Sequence, residues 1–84
     1  MKLELIRIEG EAYMTLETIA GCYDFEIAWV TEVYQFGLLG PGLTVGGSVA
    51  VPAVLLDRVA RIWRWQCREG LAFESIEALL ALED

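Results

Sequence analysis

Three groups of side chains in this sequence have types and spacings that bear on chemistry. The first is a set of carboxylates, Glu17, Asp24, Glu26 and Glu32, interleaved with the aromatics Tyr23, Phe25, Trp29, Tyr34 and Phe36. The second is the series Arg58, Arg61, Arg64 and Arg68, in a segment that also carries Trp63 and Trp65. The third is the pair Cys22 and Cys67, in a chain that contains no His and no Cys-x-x-Cys. Such a set offers no nucleophile with an adjacent base and no metal-ligand spacing, so no catalysis, metal or cofactor is expected and the thiols read as reduced. Carboxylates could act as acid and base, but nothing in the pattern predicts a pocket that would raise one pKa. Recognition chemistry remains: carboxylates attract a basic surface, and Trp and Arg are the residues that dominate binding hot spots.

The elements that must position these groups can be read along the chain. Leu3 to Ile8 is mostly β-branched or long apolar residues broken by Glu4 and Arg7, "EGE" at 9 to 11 breaks the run, and "AYM" allows a short returning strand. "TLETIAG" at 15 to 21 predicts a helix of two turns, with Thr15 as N-cap and Gly21 as stop. A second helix begins at Asp24 or a neighbour, keeps Ile27, Val30 and Tyr34 at helical spacing, and ends at Gly37. In "GLTVGGSVAV" two β-prone runs meet at Gly46 and Gly47, which accept the positive φ angles of a two-residue hairpin. Pro52 suits the first turn of a following helix, Gly70 closes that helix, and a last one runs from Phe73 to Leu82.

On a helical wheel the segment 54 to 69 divides sharply. Leu55, Leu56, Val59, Ala60, Ile62, Trp63 and Cys67 share one side, predicted as core, and Asp57, Arg58, Arg61, Arg64, Arg68 and Glu69 share the other. Trp65 falls among the arginines. Two roles are open to it: lying flat under the stem of Arg61 or Arg68 in a cation–π contact, or serving with those arginines as a docking anchor. The arginines themselves have two uses, pairing with Glu69, Glu74 and Glu77 or meeting the acidic face of a second copy in a homodimer.

An 84-residue chain is one domain, residues 1 to 84, with a small core. Yet 56% of its residues are hydrophobic, more than so small a globule hides, so part of this surface is expected at a partner. A net charge of −7 opposes nucleic acid and favours a basic protein partner. No apolar run is long enough to span a bilayer and the amino terminus turns acidic too early for a signal peptide, which predicts a cytoplasmic protein with no membrane partner.

The order helix, turn, helix, Gly-Leu-Leu, Gly-hinged hairpin, long helix, Gly, short helix resembles the winged helix-turn-helix of the MerR family. The residues that carry it are "TLETIA", "FGLLGPG" at 36 to 42 and "RIWRWQCREGLAFESIEALL" at 61 to 80, and the likeness spans about residues 13 to 82. It implies a fold that is mainly α with a small β element: a short N-terminal strand, two short helices, a β-hairpin wing, a long helix and a short C-terminal helix.

Two departures from that family direct the functional expectation. DNA-binding members carry Arg or Lys on the second helix and the wing, whereas no basic residue stands between Arg7 and Arg58 here. Regulators also continue into a dimerising helix and effector domain, whereas this sequence ends at Asp84. The chain is similar in these respects to the short CbpM-type chaperone modulators, which bind the J-domain of DnaJ-like or CbpA-like co-chaperones. The resemblance implies a J-domain partner, within or beside a DnaK-type Hsp70 complex, met by an acidic and aromatic face comprising Asp24, Glu26, Trp29, Glu32 and Tyr34, with Trp65 as the next candidate. The alternative is a MerR-like transcriptional regulator, or a toxin–antitoxin-type partner protein, in which the arginine series would meet a phosphate strand.

Overall fold

The structure, a computed structural model, describes residues 5–83. Its elements are β1 (Ile6–Ile8), β2 (Glu11–Thr15), α1 (Leu16–Tyr23), α2 (Ile27–Gln35), β3 (Leu43–Val45), β4 (Ser48–Pro52), a 3₁₀ turn (Ala53–Leu55), α3 (Leu56–Trp63), a π-helical turn (Arg64–Arg68) and α4 (Phe73–Glu83). The predicted strand at Leu3 and Glu4 lies outside the described residues.

All four strands join one antiparallel sheet in the order β1-β2-β4-β3, so the fold is mixed α/β with a sheet larger than the small β element expected. The addition comes from β2, which pairs with β1 on one side and with β4 on the other. Both hairpins turn on two residues with positive φ, Glu9 (52°) with Gly10 (86°) and Gly46 (55°) with Gly47 (84°). That pattern gives the backbone twist a two-residue antiparallel turn needs. The hairpin turn predicted at Gly46 and Gly47 is therefore present.

Thr15 joins sheet to helix without a loop. Its backbone is extended and opposite Ala50 in β4, while its side-chain oxygen accepts the N–H of Thr18 at 3.1 Å and caps α1. α1 passes through the expected stop at Gly21 and ends at Asp24, whose left-handed backbone (φ 59°, ψ 38°) returns its N–H to the carbonyl of Ala20. Gly is tolerated inside a helix at a cost of about 1 kcal/mol, and Asp is one of the few side chains that accept the left-handed region, so the stop falls on Asp24. Asp24 thus terminates α1 and does not begin α2, which is entered from Glu26 without a side-chain cap. Pro52 likewise stands at the end of β4 opposite Tyr13, and leads into the 3₁₀ turn.

The core is wholly apolar. Met14, Ile19, Val30, Val33, Leu39, Val51, Val59, Ile62 and Ile76 are each less than 2% exposed, and no polar side chain is buried among the described residues. It is drawn from β2, β4, all four helices and the Leu38–Leu39 turn, and leaves β1 and β3 as flanking edges. Among the described residues no helix is long and apolar enough to cross a membrane.

Because Thr15 serves the β2–β4 ladder through its backbone and α1 through its hydroxyl, the two roles separate on substitution. Thr15→Ala should lower stability by about 1 kcal/mol and Thr15→Ser by much less, read as a shift in the urea midpoint at unchanged m-value.

Candidate functional site

Two apolar faces meet where the α1–α2 junction crosses α3. The rings of Tyr23 and Phe25 stack at 5.1 Å between centroids, Phe25 and Trp63 stack at 5.6 Å with planes 14° apart, and Trp29 meets Phe25 edge-on at 5.2 Å. Tyr23, Phe25 and Trp63 form the floor of a groove of about 520 Å³. Asp24 and Glu26 stand on the wall supplied by the junction, and Arg64 and Arg68 on the wall supplied by the π-helical turn. All four charged residues are exposed.

Each ring is held by local backbone. The left-handed turn at Asp24 reverses the chain between Tyr23 and Phe25 and lets the two rings stack, with the Phe25 N–H bonded to the Ala20 carbonyl at 2.9 Å. Trp29 is fixed from behind: its indole N–H donates to the side-chain carbonyl of Gln66 in the π-helical turn. That turn is closed by the Glu69 N–H to the Arg64 carbonyl at 3.1 Å, five residues apart, a widening of the helix that often accompanies functional sites. Desolvation, and then the negative charges of Asp57 and Cys22, hold the Tyr23 phenol above its ordinary titration range.

Of the two tryptophans in the third helical segment, Trp63 leaves its expected place and Trp65 takes one of the two roles open to it, the cation–π contact under Arg61. Trp63, predicted as core, is 36% exposed on the groove floor, and Cys67 is exposed too. Trp65, placed by the wheel among the arginines, packs half-buried against the core beneath the Arg61 guanidinium, 5.9 Å from its ring centroid. Val59 and Ile62 mark the centre of the buried stripe, and at 100° per residue Trp63 and Trp65 lie about 70° and 90° to its opposite sides. Their neighbours decide between them: α4 closes over the Trp65 side, where Arg61 pairs with Glu83, while the Trp63 side looks onto the groove.

The six residues expected at the partner surface therefore separate. Asp24 and Glu26 line the groove and Trp29 backs its floor. Glu32 is exposed further along α2, outside the lining. Tyr34 turns to the wing loop, where its hydroxyl donates to the Pro41 carbonyl at 3.3 Å. Trp65 lies toward α4, under Arg61. Arg61 pairs with Glu83 rather than with Glu69, Glu74 or Glu77, and Arg58 donates to the Leu38 carbonyl at 3.4 Å. Sequence reasoning missed Trp63 and Gln66 as members of the site. Gln66 carried a signal: it sits in the middle of the apolar stripe, where a polar side chain needs a partner.

A second cavity, of about 330 Å³, lies between the sheet and the wing loop, lined chiefly by Tyr13, Leu39, Pro41, Leu43, Leu55 and Arg58. It is mostly apolar and gathers no set of reactive groups. No family model, curated protein or solved structure matches this chain.

The placement of the tryptophans sets an order of stability. Trp65→Ala should cost about 2–3 kcal/mol, since it empties a packed position. Trp63→Ala should cost about 1 kcal/mol, chiefly its stacking on Phe25. Urea unfolding of the two variants measures both.

Proposed function

We propose that this chain is a cytoplasmic, non-catalytic binding module with a MerR-like winged helix-turn-helix plan, and that it acts as a CbpM-type chaperone modulator. In this reading it binds the J-domain of a DnaJ-like or CbpA-like co-chaperone through the groove and governs that protein's work with Hsp70. The order of α1, α2, the β3–β4 hairpin and α3 is compatible with the plan, in which α2 takes the place of a reading helix. β1 and the β2–β4 pairing are additions at the sheet.

The observation that carries the reading is the absence of cations where such a scaffold would meet DNA. The outward positions of α2 are Ile27, Ala28, Glu32 and Gln35, and the wing exposes Leu43, Thr44, Gly46 and Gly47. Phosphate neutralisation supplies most of the affinity for DNA, and neither surface offers any. Asp24 and Glu26 beside exposed aromatic rings instead suit a basic helix: the carboxylates steer it in, and the rings supply apolar area and cation–π contact to the stems of its Lys and Arg side chains. The regulator alternative draws on Arg58, Arg61, Arg64 and Arg68, and two of these already serve the fold by holding the Leu38 carbonyl and Glu83.

Titration into an isolated J-domain and, in parallel, into random-sequence duplex DNA at low and physiological salt tests the reading. Saturable J-domain binding is expected, with none to DNA. Asp24→Asn combined with Glu26→Gln should slow association several-fold and flatten its salt dependence without changing the fold, since Asn keeps the left-handed turn. Binding to DNA with no J-domain signal would overturn the proposal in favour of the regulator.

A further inference from the structure

The walls of the aromatic groove carry opposite charge, yet they do not close on one another. Among the described residues neither Arg64 nor Arg68 makes an ion pair, although both line the same groove of about 520 Å³ as Asp24 and Glu26. The floor is made of flat rings, with Phe25 and Trp63 within 14° of parallel. A guanidinium fits such a space: its plane stacks on an aromatic face while its N–H fork reaches a carboxylate at the edge. A lysine uses the ring face less well and lacks the fork.

A second copy of this chain offers that group twice, from Arg64 and Arg68 at the rim of the same groove. Placed about a two-fold axis, the basic wall of each copy faces the acidic wall of the other, the reciprocal arrangement an isologous interface requires. Trp63, 36% exposed, and Ile27, 43% exposed next to Glu26, would be covered by the same contact. We infer that two copies of this chain associate through this groove, with Arg64 and Arg68 of each lying on the Phe25–Trp63 face of the other and pairing with its Asp24 and Glu26.

The association is weak by construction. Eight residues line the groove, against roughly 20–30 a side in a stable interface, and a net charge of −7 on each copy opposes approach. Contacts of that size belong to the weak, transient class of interface. The dimer covers the carboxylates assigned above to a basic partner, so, where that function holds, self-association and partner binding exclude one another.

Charge-reversed variants test the pairing in sedimentation velocity, from low micromolar to several hundred micromolar full-length chain. The acid-wall variant is Asp24→Asn with Glu26→Lys, and the basic-wall variant is Arg64→Glu with Arg68→Glu. Each alone should stay monomeric where the natural sequence dimerises. Their equimolar mixture should form a heterodimer about as tight as the natural dimer, because opposite charges again face one another across both wall pairs, a rescue that damaged folding would not give. A natural chain that remains monomeric throughout, variants that each dimerise as it does, or a mixture without heterodimer would each overturn the inference. The J-domain reading is scored separately, by titrating the natural chain into the J-domain at low micromolar concentration, where it is monomeric: binding or its absence there is independent of whether dimers form at higher concentration.

Discussion

The pairing of β2 with β4 is the contact on which the rest of the molecule depends. Met14 stands opposite Val51, the two residues are 1% and 0% exposed, and the flanking pairs Tyr13 with Pro52 and Thr15 with Ala50 complete the ladder. Between them the chain makes α1, α2 and the wing strand β3, so one antiparallel contact closes the loop that carries half of the helical structure. Closing such a loop costs entropy that grows only slowly with its length, and burial of Met14 and Val51 in the same apolar cluster as Ile19, Val33 and Val59 offsets it. Since Thr15 is both the last rung of the ladder and the cap of α1, the direction in which the first helix leaves the sheet is set by the same residue that ends the strand.

From that anchor the groove follows by a chain of local constraints. α1 leaves Thr15, buries Leu16, Ile19 and Ala20, and must reverse before α2 can bury Val30 and Val33. The reversal is confined to Asp24, Phe25 and Glu26, too short to hide its aromatics, and the left-handed Asp24 brings Phe25 against Tyr23. α3 presents Val59 and Ile62 to the same core, which leaves Trp63 facing Phe25 at the surface. A domain of this size has too little interior for its large rings. None of its Trp, Tyr or Phe residues enters the fully buried core; Phe25, Trp29, Tyr34, Trp65 and Phe73 pack around it as a partly exposed collar.

Residues that act through local backbone chemistry were legible in the sequence. Thr15 as a cap, Gly46 with Gly47 as a hairpin turn, Gly70 as a stop and α4 starting at Phe73 all emerge from short patterns whose physics is contained within a few residues. The pairing of β2 with β4 was not, because three- and five-residue strands carry little periodicity and their partners are chosen by packing at long range. The site was legible in part. Asp24, Glu26 and Trp29 could be picked out as acids and aromatics near a helix start, but Tyr34 and Trp65 share their residue types and fell elsewhere. A wheel cannot distinguish Trp63 from Trp65, since each flanks the buried stripe and only the position of α4 decides which is covered. Gly21 failed as a stop for a related reason: the termination signal was the conformation available at Asp24 three residues later.

The charge of this molecule is organised more finely than its total. A uniform excess of seven negative charges would make it broadly attractive to basic surfaces and little more. The fold instead engages Arg58 and Arg61 in structural contacts and places Arg64 and Arg68 across a ring-floored gap from Asp24 and Glu26. An approaching basic helix is then drawn to one wall and repelled by the other, which restricts the orientations it can adopt. Like-charge juxtaposition discriminates against wrong poses at least as effectively as attraction rewards right ones. Under the proposed function, selectivity in this groove would rest on the arginines as much as on the carboxylates, and a purely acidic version of the same surface would bind basic proteins more tightly while distinguishing them less.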